Sequence, residues 1–191
     1  MRFAIIVVLG ALLSGCAFSE VTVDVNYKPG TATPIANAAP VNLSVSDGRT
    51  EDRTRISTKT NGYGAEGGAV HSSRNVTDLV QDALSSEMKA RGIDLTSSGA
   101  PLSVSVRRFY CQYHSVTAVG EVILDVSLTD AKGTPAFTQT YTGASDIPVL
   151  MFNGGNAADA VAAALKDAIG KMFGDKQLVA ALTANRVALT R

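Results

Sequence analysis

The amino terminus constrains this chain more than any other stretch. One basic residue, Arg2, precedes an apolar run over residues 3–13, and Ser14 and Gly15 then lead into Cys16. A cationic start, a short apolar core and small residues at its end make a bacterial secretory signal, removed on export. The run is well below the ~20 residues a spanning helix needs, so cleavage rather than a transmembrane anchor is expected. The mature chain, residues 16–191, then folds in an oxidising compartment, and its length suits one domain with a core that needs no staples.

The position of the cysteine adds an address. Leu13-Ser14-Gly15-Cys16 resembles the lipobox of bacterial lipoproteins, whose cysteine is acylated and becomes the new amino terminus. The resemblance implies that Cys16 is the lipidated residue and that the membrane is reached through acyl chains. With Ala17, Phe18 and Ser19 next in the chain and no aspartate among them, it also implies sorting to the outer membrane, with the domain in the periplasm. Cys111 is then left without an intramolecular disulfide partner. Set in an apolar and aromatic strand, it reads as a buried structural thiol.

The expected layout is a signal peptide over 1–15, a lipidated segment and tether over 16–40, and a domain over 41–191. Residues 21–25 alternate as a short extended piece, and residues 28–40 are rich in Pro, Gly, Ala and Thr, a composition for a tether. Val41, Leu43 and Val45 share one face of a strand that ends at Asp47-Gly48. Next come a run over 49–55 charged with both signs and a glycine-rich loop over 61–73. Val76, Leu79, Val80, Ala83, Leu84 and Met88 recur at helical spacing, with Asn75 before the helix and Gly92 after it. Leu102, Val104 and Val106 lie in one strand phase and Phe109, Cys111 and Tyr113 in the other, which predicts a bulge across Arg107-Arg108 or a strand whose far half buries its opposite face. Residues 122–128 alternate cleanly, and a last strand runs over 135–142. A second helix carries Val161, Ala164, Leu165, Ala168, Ile169 and Met172, with Asn156 as its cap, and a short third one lies around Leu178 and Leu182. The order β-α-β-β-β-α-α predicts a two-layer α+β fold, with a mainly antiparallel or mixed four-stranded sheet covered on one face by two or three helices.

No catalytic constellation stands out. His71 and His114 lack a second ligand at metal spacing, there is no Gly-x-Ser-x-Gly elbow, and Gly154-Gly155 lacks the Lys and hydroxyl of a phosphate loop. Neither an enzyme nor a cofactor is expected. With 17 basic and 17 acidic side chains, the chain is not built for nucleic acid either. The candidate partner-binding residues are Arg49, Arg53 and Arg55, suited to a carboxylate or phosphate, together with His114, Met151 and Phe152. If the first strand runs parallel to the second, the loops at 48–74, around His114 and at 147–152 gather at one pole, and the tether enters at the other. Loops so held away from the membrane would meet an envelope protein partner.

The strand ending Val45-Ser46-Asp47-Gly48-Arg49, the helix ending Met88-Lys89-Ala90-Arg91-Gly92 and the Ala-rich later helix, taken with the lipobox, resemble the YajG family of proteobacterial lipoproteins. That resemblance implies a small envelope lipoprotein without a defined biochemical role. The leading expectation is a non-catalytic binding or envelope-assembly module. The alternative is an accessory or carrier for a lipidic or glycan ligand, because the element order is also similar to that of transport-associated lipoproteins. A carrier would need an apolar pocket on the uncovered sheet face or beneath residues 147–152.

Overall fold

The computed structural model describes residues 19–60, 66–130 and 133–189. Cys16 and the signal lie outside them, as do residues 61–65 of the glycine-rich loop. The elements run β1 (Val21–Val23), β2 (Val41–Asp47), β3 (Arg55–Thr60), β4 (Glu66–Ser72), α1 (Val76–Ala90), β5 (Ala100–His114), β6 (Thr117–Thr129), β7 (Pro135–Pro148), α2 (Gly154–Gly174) and α3 (Lys176–Leu189).

The fold is α+β with one open, mixed sheet of seven strands, not four. Its order is β1-β4-β3-β5-β6-β7, and β2 also pairs with β5. Both β2 and β3 run parallel to β5, one along its first half (Val41↔Ala100 to Asp47↔Val106), the other near its end (Ser57↔Cys111). The first long strand therefore pairs in parallel with the strand that follows the first helix. The predicted bulge is present, as a register shift between Val106 and Arg108 in the β5–β6 ladder.

Of the three added strands, β1 falls in the short extended piece expected over 21–25, and β3 and β4 carry the weakest apolar signal. Arg55–Thr60 reads RISTKT and Glu66–Ser72 reads EGGAVHS, and neither shows the alternation that marks a half-buried strand. Tertiary pairing makes them strands. Gly68 lies directly against the backbone of Ser19 and Glu20 as the chain enters β1, so a side chain at 68 would collide with it. What reads as loop composition is here a close approach of two backbones.

All three helices belong to the same core as the apolar sheet face, where Val122, Leu124, Val126 and Leu128 are fully buried. Helix α2 crosses β6 and β7 closely enough that Gly120 and Gly143 sit under the carbonyls of Ala160 and Ala164. It begins earlier than expected. Asn153, not Asn156, is the cap, and the two exchange side-chain to backbone bonds at 3.0 and 3.1 Å in a reciprocal capping box. Gly154 and Gly155 are therefore its first turn. Helix α1 has Asn75 at its cap position without a side-chain bond, and beyond its C-cap Arg91 comes Gly92, whose φ of 75° suits a residue without Cβ.

Residues 24–40 contain no helix or strand, yet they are laid along the domain instead of hanging from it. Val25, Ala38 and Ala39 are buried. The Tyr27 hydroxyl donates to Glu87 of α1 (2.6 Å), as does the Gly30 N–H (3.1 Å), while Gly30 also lies against Lys166 of α2. The Ile35 N–H donates to the Arg91 carbonyl and the Ala39 N–H to that of Leu182, both at 2.9 Å. This segment carries the chain between the helices to the start of β2, where Val41 pairs with Ala100.

The expected position of the amino terminus is thereby reversed. Strand β1 runs parallel to β4, which is antiparallel to β3, so β1 starts where β5 ends. The described chain enters at the pole of the His114 hairpin, not opposite it.

Candidate functional site

The six candidate residues fall into two groups. Arg49, Arg53 and Arg55 lie where β2 gives way to β3, beside Val106 and Phe109 of β5, whereas His114, Met151 and Phe152 lie at the end of that strand. At ~3.3 Å per residue the two are separated by roughly 20 Å along the sheet. The charged run over 49–55 is therefore away from the pole that holds the other two loops.

Arg49 is an organiser of its own loop. Its side chain is only 1% exposed. Nε and Nη2 grip both oxygens of Asp47 at 2.8 Å, Nη1 donates to the Arg55 carbonyl at 3.0 Å, and Nη2 also reaches the carbonyls of Arg53 (3.0 Å) and Asp52 (3.4 Å). The Arg49 guanidinium holds the Asp47 carboxyl below the usual carboxylate range. Arg55 is half-buried and donates to Thr58 Oγ1 (2.7 Å), and Arg53 alone of the three is exposed. A cleft of about 370 Å³ beside this loop is lined by Val45, Asp47, Arg49, Glu51, Arg53 and Thr77. With two carboxylates and a fully engaged Arg49 in its wall, it offers an anion one outward cation.

At the pole, His114 is exposed at the β5–β6 turn, where Ser115 takes a φ of 51°. The Val149 N–H donates to the Val116 carbonyl (2.8 Å), and the Tyr113 hydroxyl to that of Asn153 (2.6 Å). The Phe152 ring lies 4.7 Å from that of Tyr113. These contacts bind the hairpin tip to the 149–153 loop. Val116, Leu150, Met151 and Phe152 remain 66%, 104%, 78% and 38% exposed.

Two further features are not among the residues expected from the sequence. One is the sheet face away from the helices. Ser44, Ser103, Ser127 and Thr138 form one cross-strand row, and Ser46, Ser105, Asp125 and Thr140 the next. Ion pairs Arg107–Asp125 (3.0 Å) and Arg108–Glu121 continue this face toward the pole. Its signal is the polar phase of each strand, the complement of the apolar phase that marks the strands. The other is Glu87, on the buried stripe of α1. It pairs with Arg91, which also stacks 4.3 Å over the Phe173 ring. An acid at an apolar stripe position is visible in the sequence, but its partners, 57 and 60 residues away, are not.

Cys111 is 1% exposed, and burial pushes its thiol up to about 11, so it is a core residue held as thiol. Among the described residues, no group of three His, Cys, Asp or Glu could hold a metal ion, and no helix is long and apolar enough to cross a membrane.

An α+β domain of this kind, on a chain that begins with a signal-like apolar run and a cysteine, fits one class, the envelope lipoproteins. Within it, the chain belongs to the family described as uncharacterized lipoprotein, whose model matches residues 28–183, the YajG-like family indicated by the sequence resemblance. Membership makes it a membrane-anchored protein of the cell envelope. A Xanthomonas campestris protein of the DUF330 family shares the fold with a TM-score of 0.63 and 19% identity, over 85% of this chain and 96% of that one. A minor lipoprotein from Acinetobacter baumannii is similar at a TM-score of 0.44 and 12% identity, over 77% of this chain and 94% of its own. No curated protein matches the sequence.

Proposed function

We propose that the protein is a non-catalytic lipoprotein of the outer membrane, anchored through Cys16, whose periplasm-facing domain binds an envelope partner or supports envelope assembly. The uncovered sheet face carries this reading. Its two hydroxyl rows span β2, β5, β6 and β7, and Ser44, Ser103, Thr138 and Thr140 are exposed. The Ser44 hydroxyl donates to that of Ser103 (3.3 Å) and the Thr140 hydroxyl to Asp125 (2.7 Å), which leaves an array of donors and acceptors for a polar partner. The same array fits a glycan better than a lipid, so the carrier alternative is kept for a saccharide ligand.

A photo-crosslinking residue at Ser103 in cells should give discrete adducts, and one at Gln177 on the helical side should not. Equal adducts at both sites, or none at Ser103, would remove this face from the proposal. Fatty-acid labelling tests the anchor: the wild-type chain should take label and float with outer-membrane fractions, and Cys16→Ser should do neither.

A further inference from the structure

The apolar tip sits at the anchored end of the domain. Among the described residues, the large hydrophobic side chains that stand exposed are Val116, Leu150, Met151 and Phe152, and all four are at one pole. Contiguous apolar surface on an exposed loop marks a contact, and the path of the chain says with what.

Ser19 lies against Gly68 and accepts from Lys59 Nζ at 2.7 Å. Since Ser57 pairs with Cys111, Lys59 is level with Tyr113, whose ring touches Phe152. Val21 and Val23 in turn lie on Gly154, two residues beyond Phe152. The described chain thus begins beside the apolar tip. Ser19 is three Cα–Cα steps from Cys16, and a chain of that length reaches at most ~11 Å. Acyl chains on Cys16 would therefore keep this pole within the thickness of a headgroup layer. Among the described residues, Lys59 and His114 are set there with Glu20, Glu66 and Asp146, so they bring no excess of positive charge and the exposed feature that remains is apolar.

We infer that Val116, Leu150, Met151 and Phe152 form a membrane-contact tip that inserts into the lipid interface of the leaflet that holds the anchor. The inference rests on Cys16 being the lipidated residue. Inserted this way, the domain stands on the membrane with its strands rising from it. Strand β5 alone, 15 residues at ~3.3 Å each, rises about 50 Å. The open hydroxyl face is then presented sideways, clear of the bilayer, and the acyl anchor gains the second contact that stable membrane attachment favours.

The chain has no tryptophan, so an introduced one reports alone. Lipidated full-length protein carrying Leu150→Trp is reconstituted in phosphatidylethanolamine–phosphatidylglycerol vesicles with brominated acyl chains and compared with Thr134→Trp, at the far end of β7. Quenching at least threefold stronger for Leu150→Trp, unchanged on tenfold dilution of protein into lipid, is expected. Equal quenching of the two overturns the inference while leaving the anchor intact. Shielding of Leu150→Trp that disappears on dilution assigns the tip to a second copy and overturns it as well. A wild-type chain that takes no fatty-acid label overturns the Cys16 reading, and the inference with it.

Discussion

Replacing Glu87 by alanine should cost about 3–5 kcal/mol, because it removes one partner of a buried ion pair and leaves the other without compensation. The Glu87 side chain is 3% exposed and that of Arg91 10%. Glu87 also accepts from the Tyr27 hydroxyl and the Gly30 N–H. Glu87→Gln keeps an acceptor for both but loses the charge, so ~1.5–3 kcal/mol is expected, the range for hydrogen bonds to charged groups. Urea unfolding monitored by circular dichroism, on the unlipidated Cys16→Ser chain, measures both. Because Glu87 pins residues 24–40, tryptic cleavage after Lys28 should accelerate in both variants before the domain unfolds. The pH dependence has a definite sign. Burial by itself would raise the Glu87 carboxyl, but bonds from Tyr27, Arg91 and Gly30 outweigh it and hold it below its ordinary value. A depressed carboxyl contributes stability above its unfolded pKa, ~4.3, and loses that contribution as pH falls through the folded value. The gap between wild type and Glu87→Gln should therefore narrow below about pH 4. A loss under about 1 kcal/mol for Glu87→Ala with unchanged cleavage at Lys28 would refute the seating of this segment.

Other substitutions probe the helix–sheet layer and the core. Gly143→Ala places a methyl against the Ala164 carbonyl and should cost about 1–3 kcal/mol. Gly170→Ala, on the helix that crosses Gly143 and with open space around it, should gain roughly 0.5–1 kcal/mol, and a loss at 170 as large as at 143 would show that the close approach is not what matters. Leu84→Ala and Leu124→Ala, both fully buried, should each cost ~2–5 kcal/mol in the same unfolding assay. Cys111 should resist a thiol reagent at pH 8 in the native chain and react at once in urea. Rapid native modification would place it outside the core.

The helices, the long strands β5 and β6, the bulge after Val106 and the class of fold were legible because each is a local periodic pattern. Apolar residues at helical or alternate spacing can bury only one way. By contrast, β3 and β4 became strands only because neighbours paired with them, since RISTKT and EGGAVHS hold no alternation of apolar residues of their own. The segment before Val41 has tether composition, and Glu87 alone gives no hint that Tyr27 and Gly30 will close on it. Most of all, the pole at which the chain enters was decided by β1 lying parallel to β4. A three-residue strand has too little pattern to announce its partner, and strand direction is a property of pairs. Tertiary pairing therefore placed the Leu150–Met151–Phe152 tip beside the point where the described chain enters rather than away from it.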